Sequence, residues 1–456
     1  MNHLPKGWAS TTVSSMIELN PKTDAPDEAL AGFSPMPLLG TRYRDPVGFA
    51  PRRWGDIRKS YVHFQDGDVL LAKITPCFEN GKAGLVRGMP SAIGAGSSEY
   101  LVCRPYPEAL DPRYLLALFK TDEFLKAGET RMTGSVGHKR VPKDYLLETE
   151  LALAPRAEQF RIADKLDALL ARVDECSERL DRLPILAMRF RQSVLAAAMN
   201  GELSADWREA AVRAMDWEES TIGSVATDLR YGTSKKCDYR EVGTPVLRIP
   251  NIGEHGRLEL ADMKRCDFED VEVERLSLRP GDLLVIRSNG SVELVGKTGV
   301  VDNDAAGMLF AGYLMRLRVD PKLAIAKFVQ LSLASPEVRR QIELTSKSTS
   351  GVNNLNADEL RGMPLPLPQL DEQAEIVRRV ESLFALANAI EAKCKTARAQ
   401  VERLTPAILA KAFRGELVPQ DPNDEPASEL LARLQAERGA APARKTRARK
   451  AAGDAA

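Results

Sequence analysis

Two long stretches of this chain place apolar residues in alternating steps of four and three. In the first they are Ile162, Leu166, Leu169, Val173, Cys176, Leu180, Leu183, Ala187, Phe190 and Val194. In the second they are Ile376, Val380, Leu383, Ala387, Ile390, Cys394, Ala397, Val401, Leu404 and Ile408. That spacing keeps one seam on one side of a helix and predicts two helices that zip together. The seam is expected at Ile162, Leu166, Leu169, Val173, Leu180, Leu183, Ile376, Val380, Leu383, Ile390, Val401 and Leu404. Gly201 and Gly415 are placed to end the helices in the left-handed conformation. Pro184 and Pro406 lie inside the pattern and are expected to kink or break it. Each helix should be about 70 Å long. Amphipathic helices packed only on their own domains are the alternative.

The two stretches are copies of each other. Glu158-Gln159 returns as Glu372-Gln373, and Gly201-Glu202-Leu203 as Gly415-Glu416-Leu417, both after 214 residues. Between those limits 12 of 46 positions are identical without a gap, which makes the register itself a repeat. Upstream, Gly67-Asp68-Val69-Leu70-Leu71 is echoed by Gly281-Asp282-Leu283-Leu284-Val285, and Trp8 and Trp217 each open a copy. The chain therefore reads as module, helix, module, helix and tail: 1–152, 153–204, 205–366, 367–420 and 421–456. An antiparallel helix pair closes this order most simply and relates the modules by a pseudo-two-fold axis. The fold class is α+β: two similar globular domains separated by two long antiparallel coiled-coil helices. Short runs such as Val69–Ile74, Leu283–Ile286 and Leu314–Val319 predict strands. Tyr114–Phe124 and Ala324–Leu333 predict short helices. The alanine-rich basic tail is expected to be partly disordered.

Charge changes this picture only locally. The chain holds 64 Lys and Arg against 64 Asp and Glu. A protein that coats DNA by bulk neutralisation would be basic throughout, so any nucleic-acid site must be a patch. The first module has Arg42, Tyr43, Arg44, Arg52 and Arg53 in one cluster, and Ser135, His138, Lys139 and Arg140 in another. The second has Tyr231, Lys235 and Lys236, then Lys347, Asn353 and Asn354 in a polar run. Lysines and backbone amides suit phosphates, and Arg and Asn suit base edges. A solvated charged surface is the plainer alternative for any one cluster.

Chemistry-bearing motifs are few. Gly290 through Thr298 resembles a phosphate loop but has five residues between its glycines, and the first copy has Gly81-Lys82-Ala83-Gly84 there, without the hydroxyl. Both are read as turns between strands. No zinc-binding, nucleophile-elbow or dinucleotide signature occurs, and the six cysteines and four histidines are scattered. No catalytic or metal residue is assigned. No apolar stretch is long enough to span a bilayer and no leader pattern is read, so a cytoplasmic protein without membrane contact is expected.

Several motifs together resemble the specificity subunit of type I restriction–modification systems. They are Pro5-x-Gly7-Trp8, the repeated Gly-Asp runs, Ile74-Thr75-Pro76 through Glu79-Asn80-Gly81-Lys82, Leu365-Pro366-Leu367-Pro368 leading to Glu372-Gln373, and the closing Gly-Glu-Leu. The resemblance covers the chain to about residue 435. It implies a non-catalytic subunit whose two target-recognition domains each read half of a bipartite site in double-stranded DNA, with the helices fixing the spacer. It implies two modification (methyltransferase) subunits and ATP-driven restriction subunits as partners. S-adenosylmethionine, ATP and Mg belong on those partners, with no cofactor on this chain. By the same resemblance, Lys73, Thr75 and Lys139–Arg140 face DNA in the first module. Tyr231, Thr233, Ser234, Lys235, Lys236, Arg287, Ser288, Asn289 and the run Lys347, Ser348, Asn353, Asn354 do so in the second. The helix start at Ala154-Pro155-Arg156 departs from the pattern of the second copy. A coiled-coil scaffold without DNA specificity and a self-contained DNA-modifying enzyme are the competing readings.

Overall fold

The computed structural model describes residues 4–135, 137–346 and 351–440. Two compact units divide it. One comprises the chain up to Leu180 and the stretch from Thr396, and the other Asp181–Lys395. Each unit thus contains one module, one end of each long helix and a core of its own.

In the first unit, a four-stranded antiparallel sheet runs in the order Ile17–Leu19, Tyr100–Pro105, Val69–Ala72, Ala83–Leu85. Val69–Ala72 is apolar at every position because it is covered on both faces. Val69 and Leu71 enter a core with Tyr114, Phe119 and Leu166, while Leu70 and Ala72 enter another with Leu39 and Phe64. Side-chain alternation along a strand produces that split. A second sheet orders Ala50–Arg53, Leu30–Ser34, Ile93–Gly96 and Val62–Gln65, with its middle pair parallel. Ala9–Thr12 pairs with Glu150–Leu153, just before the long helix Arg156–Met199.

The second unit repeats the plan. Its main sheet orders Ala226–Tyr231, Leu314–Val319, Leu283–Ile286 and Thr298–Val300. Leu283 and Val285 point into one core, Leu284 and Ile286 into another. A three-stranded sheet joins Lys264–Cys266, Thr244–Leu247 and Leu309–Phe310. Glu218–Thr221 pairs with Pro364–Leu367 ahead of the second long helix, Leu370–Phe413. Most of these elements recur at the 214-residue spacing found in the sequence.

The short-helix expectation was incomplete. Pro112–Phe119 is followed by a separate helix Asp122–Arg131, and Ala326–Leu333 by Pro336–Thr345. Thr121 and Ser335 restart the chain as caps: their hydroxyls accept from the backbone N–H of Phe124 and Val338.

Both long helices continue through Pro184 and Pro406 without a break. Each proline removes one backbone donor, and the remaining ladder carries the helix across. Gly201 and Gly415 adopt φ of 80° and 70°, the left-handed geometry that follows a helix end. The start at Arg156 matches the second copy despite its different sequence. In both, a fully buried glutamine ties the helix to its module. Gln159 accepts from the backbone of Asp111 and donates to the carbonyls of Ala109 and Ala154. Gln373 does the same with Ile325, Leu323 and Pro368. The Glu-Gln motif is thus a structural lock.

The helices pair antiparallel. In the second unit, Arg191 makes a bidentate pair with Glu391 at 2.8 and 2.7 Å, and Val194, Leu195 and Ala198 share a core with Ile376 and Val380. In the first, Ile162, Leu166 and Leu170 share a core with Leu409 and Ala412. Of the expected seam, Ile162, Leu166, Val173, Ile376 and Val380 are buried, and Leu169, Leu180, Leu183, Leu383 and Val401 are half-buried. Ile390 and Leu404 are 45% and 44% exposed, so they do not belong to a closed seam. Toward their ends the helices also face module cores. The apolar stripe there widens beyond the strict heptad and takes in Leu170 and Leu409.

The segment after Gly415 holds one further helix up to residue 440, which the sequence pattern did not mark. Ala427–Ala440 is a helix whose Ala427, Leu431 and Leu434 pack on the core of the first unit and whose Leu430 is buried, and Arg161 pairs with Asp424 at 2.5 Å. The Arg444–Lys450 basic cluster lies outside the described residues. Among the described residues no helix is long and apolar enough to cross a membrane, and no His, Cys, Asp and Glu cluster is arranged to hold a metal.

Candidate nucleic-acid interface

In each module one junction gathers loops from the far end of the main sheet. In the first, the chain leaving Val69–Ala72 runs through Lys73, Ile74 and Thr75 beside the loop Thr133–Arg140. Val141 N–H donates to the Lys73 carbonyl at 2.8 Å, Thr75 N–H to Lys139 at 2.9 Å, and Lys73 N–H to Glu99 at 2.9 Å. Lys73, Thr75, Ser135, His138, Lys139 and Arg140 therefore form one surface, with Ser135, His138, Lys139 and Arg140 exposed. Its positive charge is partly spent. Arg140 grips Glu99 with two bonds of 2.9 and 2.8 Å, and Lys73 Nζ lies 4.0 Å from the same carboxylate. The hydrogen bonds from Arg140 hold Glu99 below its ordinary range. Thr75 donates its hydroxyl proton to Glu79 at 2.7 Å.

The other expected cluster does not join this surface. Tyr43 is buried in the core and its hydroxyl faces the Arg113 carbonyl at 3.4 Å; burial pushes its ionisation far up. It fills space and is removed from the candidate contacts. Arg42 and Arg44 turn toward Asp174 of the first long helix, at 3.8 and 3.6 Å. They line a cavity of about 280 Å³ with Glu79, Asp174 and Glu402. Lys120 also lines it but is buried, and its ammonium donates to the carbonyls of Thr41, Gly81 and Ala83 at 2.9, 2.7 and 2.7 Å. Burial lowers its proton affinity to about 7. Arg52 and Arg53 are exposed on the edge strand of the second sheet, with Arg52 set 5.9 Å from the Phe33 ring. Gly81 and Gly296 occupy the turns between sheet strands, as their sequence suggested, with φ of 68° and 81°.

The second module builds the same junction. Leu355 N–H donates to the Arg287 carbonyl at 2.7 Å, and Arg287 N–H to Tyr313 at 2.9 Å. Ser288 and Asn289 pair with Asn354 and Asn353, and the Asn353 amide donates to the Gly290 carbonyl at 3.0 Å. Ser288 is buried, so it supports the junction and is not a contact. Thr233 is also buried. Its hydroxyl donates to Glu272 at 3.0 Å and accepts from the Lys235 N–H, which holds the exposed Ser234, Lys235 and Lys236 in place. Tyr231 accepts from Ala357 N–H at 3.0 Å and lies under the Arg287 guanidinium, 4.5 Å from ring centroid to Cζ. Lys347 and Ser348 lie outside the described residues.

Sequence reasoning missed Arg248, Lys264 and Tyr313 in the second module, and Glu99 in the first. The 214-residue spacing held the signal for the last two, since Glu99 and Tyr313 occupy one place in the repeat. Arg248 directly follows the strand Thr244–Leu247 and Lys264 begins the strand Lys264–Cys266, so both lie outside the sequence clusters.

A model of the type I restriction modification DNA specificity domain matches residues 215–399. The chain is 32% identical over 470 residues to the StySPI specificity subunit of Salmonella potsdam, covering 98% of this chain and 99% of that one. It is 37% identical over 309 residues to the EcoKI specificity subunit of Escherichia coli K12, covering 66% of each. Its fold matches the crystal structure of the HsdS subunit from Thermoanaerobacter tengcongensis, with TM-score 0.61 and 21% identity over 91% of this chain and 98% of that one.

Proposed function

The chain belongs to the type I restriction–modification specificity subunits, and from that premise we propose that it recognises a bipartite target in duplex DNA, one half-site per module. The complex is the enzyme and this chain is its address. The repeated loop junction carries this reading. Lys73, Thr75 and Lys139–Arg140 in one module, and Arg287, Asn289 and Asn353–Asn354 in the other, are held by the same backbone bonds at the same spacing. Two differing side-chain sets on one scaffold suit two half-sites of different sequence.

The partners in this reading are two modification subunits carrying S-adenosylmethionine, and restriction subunits that use ATP and Mg. Part of the docking surface for a modification subunit is the exposed apolar run Ile185, Leu186, Met188 and Phe190, with Leu386 and Ile390 from the second helix. The long helices set the length of the unread spacer.

Mapping methylated bases in a genome that carries this chain and its methyltransferase tests the proposal. A split motif is expected, and exchanging residues 205–365 for the corresponding module of another family member is expected to change one half only. A continuous motif, or change in both halves, overturns it.

A further inference from the structure

One cavity of the second unit departs from the charge balance of the chain. It is an open cavity of about 600 Å³ lined by Lys235, Lys236, Arg248, Lys264 and Arg287, with no Asp or Glu in its wall among the described residues. Among the described residues only Arg248 of these five has a carboxylate partner, Asp262 at 3.1 Å. The ammonium groups of Lys235 and Lys264 lie 5.0 and 4.9 Å from the ring centres of Phe268 and Tyr239. Such a wall attracts anions, and aromatic support leaves the charges unneutralised.

Arg287 differs from the lysines in how firmly it is held. Its backbone is bonded on both sides, to Tyr313 and Leu355. Its guanidinium is stacked on Tyr231, and Nη1 donates to the Gly312 carbonyl at a long 3.3 Å. Nε is buried without an acceptor among the described residues. A planar donor group is thus fixed in orientation at the wall of a cationic cavity, with Nη2 making no hydrogen bond among the described residues. Lysine is a compact point charge on a flexible stem and suits a phosphate, whereas a fixed guanidinium suits two acceptors in one plane. On a base edge that pair is O6 and N7 of guanine.

Resting on the reading that this face meets DNA, we propose that Arg287 reads a guanine in the half-site of the second module, while Lys235, Lys236 and Lys264 hold neighbouring phosphates. Lys73, at the same place in the first module, is engaged by the Ser98 carbonyl at 2.9 Å and lies 4.0 Å from Glu99, so this position offers no equivalent contact there.

The experiment uses the chain assembled with its modification subunits, on duplexes carrying the mapped motif. With the unaltered protein, 7-deazaguanine replaces each guanine in turn and removes its N7 acceptor. Binding is expected to weaken about tenfold or more at one guanine of the second half-site. Arg287→Lys and Arg287→Gln are expected to lose discrimination at that same base pair by about tenfold to a hundredfold, with the other half unchanged. Lys236→Ala is expected to weaken binding to every sequence and make the salt dependence shallower by about one. No sensitivity to 7-deazaguanine at any guanine of that half overturns the assignment, as does full selectivity in an assembled Arg287 variant. Absence of any split motif with the unaltered protein would instead defeat the reading on which the assignment rests.

Discussion

Lys73 and Arg287 stand at one point of the repeat, with Glu99 beside the first and Tyr313 beside the second. The backbone around them is the same. The carboxylate neutralises much of the first junction, because it accepts both arms of Arg140 and faces Lys73. At the second junction Tyr313 is 64% exposed and brings no charge, and the cations line an open cavity. A duplicated scaffold can thus keep its hydrogen-bond frame and still present two electrostatically different faces. Net charge, which is zero for the chain, averages the two and hides the difference.

The same contrast appears where each helix meets its module, and it predicts the largest effect. Glu158 accepts the Trp8 indole N–H at 3.1 Å. Its counterpart Glu372 is taken by Arg208 and by the Ser204 hydroxyl, and the Trp217 indole nitrogen is buried without a partner among the described residues. Removing one member of a buried ion pair leaves the other charge stranded, at a cost of about 3–5 kcal/mol. Losing a hydrogen bond to a charged group costs about 1.5–3 kcal/mol. Glu372→Ala is therefore expected to destabilise the second unit more than Glu158→Ala destabilises the first. Amide exchange in Leu283–Ile286 and Val69–Ala72 reports the two separately. Equal effects would mean that the Arg208 pair adds nothing beyond the indole bond.

A smaller effect is expected from Glu99→Gln. The amide keeps the shape and removes the charge, freeing Arg140 and Lys73 for phosphates. Binding to non-specific duplex should tighten, with a salt slope steeper by about one to two. The carboxylate is held below its ordinary range by Arg140, so the native protein should show no titration of this effect near neutral pH. If the substitution leaves the slope unchanged, Glu99 does not mask the first junction and the contrast with Tyr313 loses its meaning.

The architecture was legible because it was written twice. Periodicity and a constant spacing mark helices, sheet strands and the Glu-Gln lock without reference to distant contacts. What escaped depended on which elements the chain brings together. Tyr43 sits in an arginine-rich run and looks like an interface residue, but its ring completes a core that includes Tyr114 and Leu166. Arg42 and Arg44 look like its partners on DNA, but Asp174, distant in sequence, turns them to the helix. Ile390 and Leu404 keep the heptad step yet remain exposed, since periodicity names a face and not what covers it. Ser288 and Thr233 lie in the expected loops as supports, a distinction that burial reveals and residue type does not.

Lys139→Ala sets the fine scale of the comparison. Lys139 is exposed, and it lies one residue from Arg140, whose charge Glu99 has already engaged. Its backbone carbonyl holds Thr75, and substitution to alanine leaves that bond in place. The loop should therefore keep its shape while one phosphate contact disappears. Affinity should fall for specific and non-specific duplexes alike, with the slope shallower by about one and the first half-motif unchanged. In Glu99→Gln the same substitution should cost no more than in the native background, because the freed Arg140 and Lys73 make the remaining contacts. A slope that does not change places Lys139 off the DNA. A changed first half-motif would instead make it a base-reading residue, and the first junction would then read sequence through an ammonium where the second uses a guanidinium.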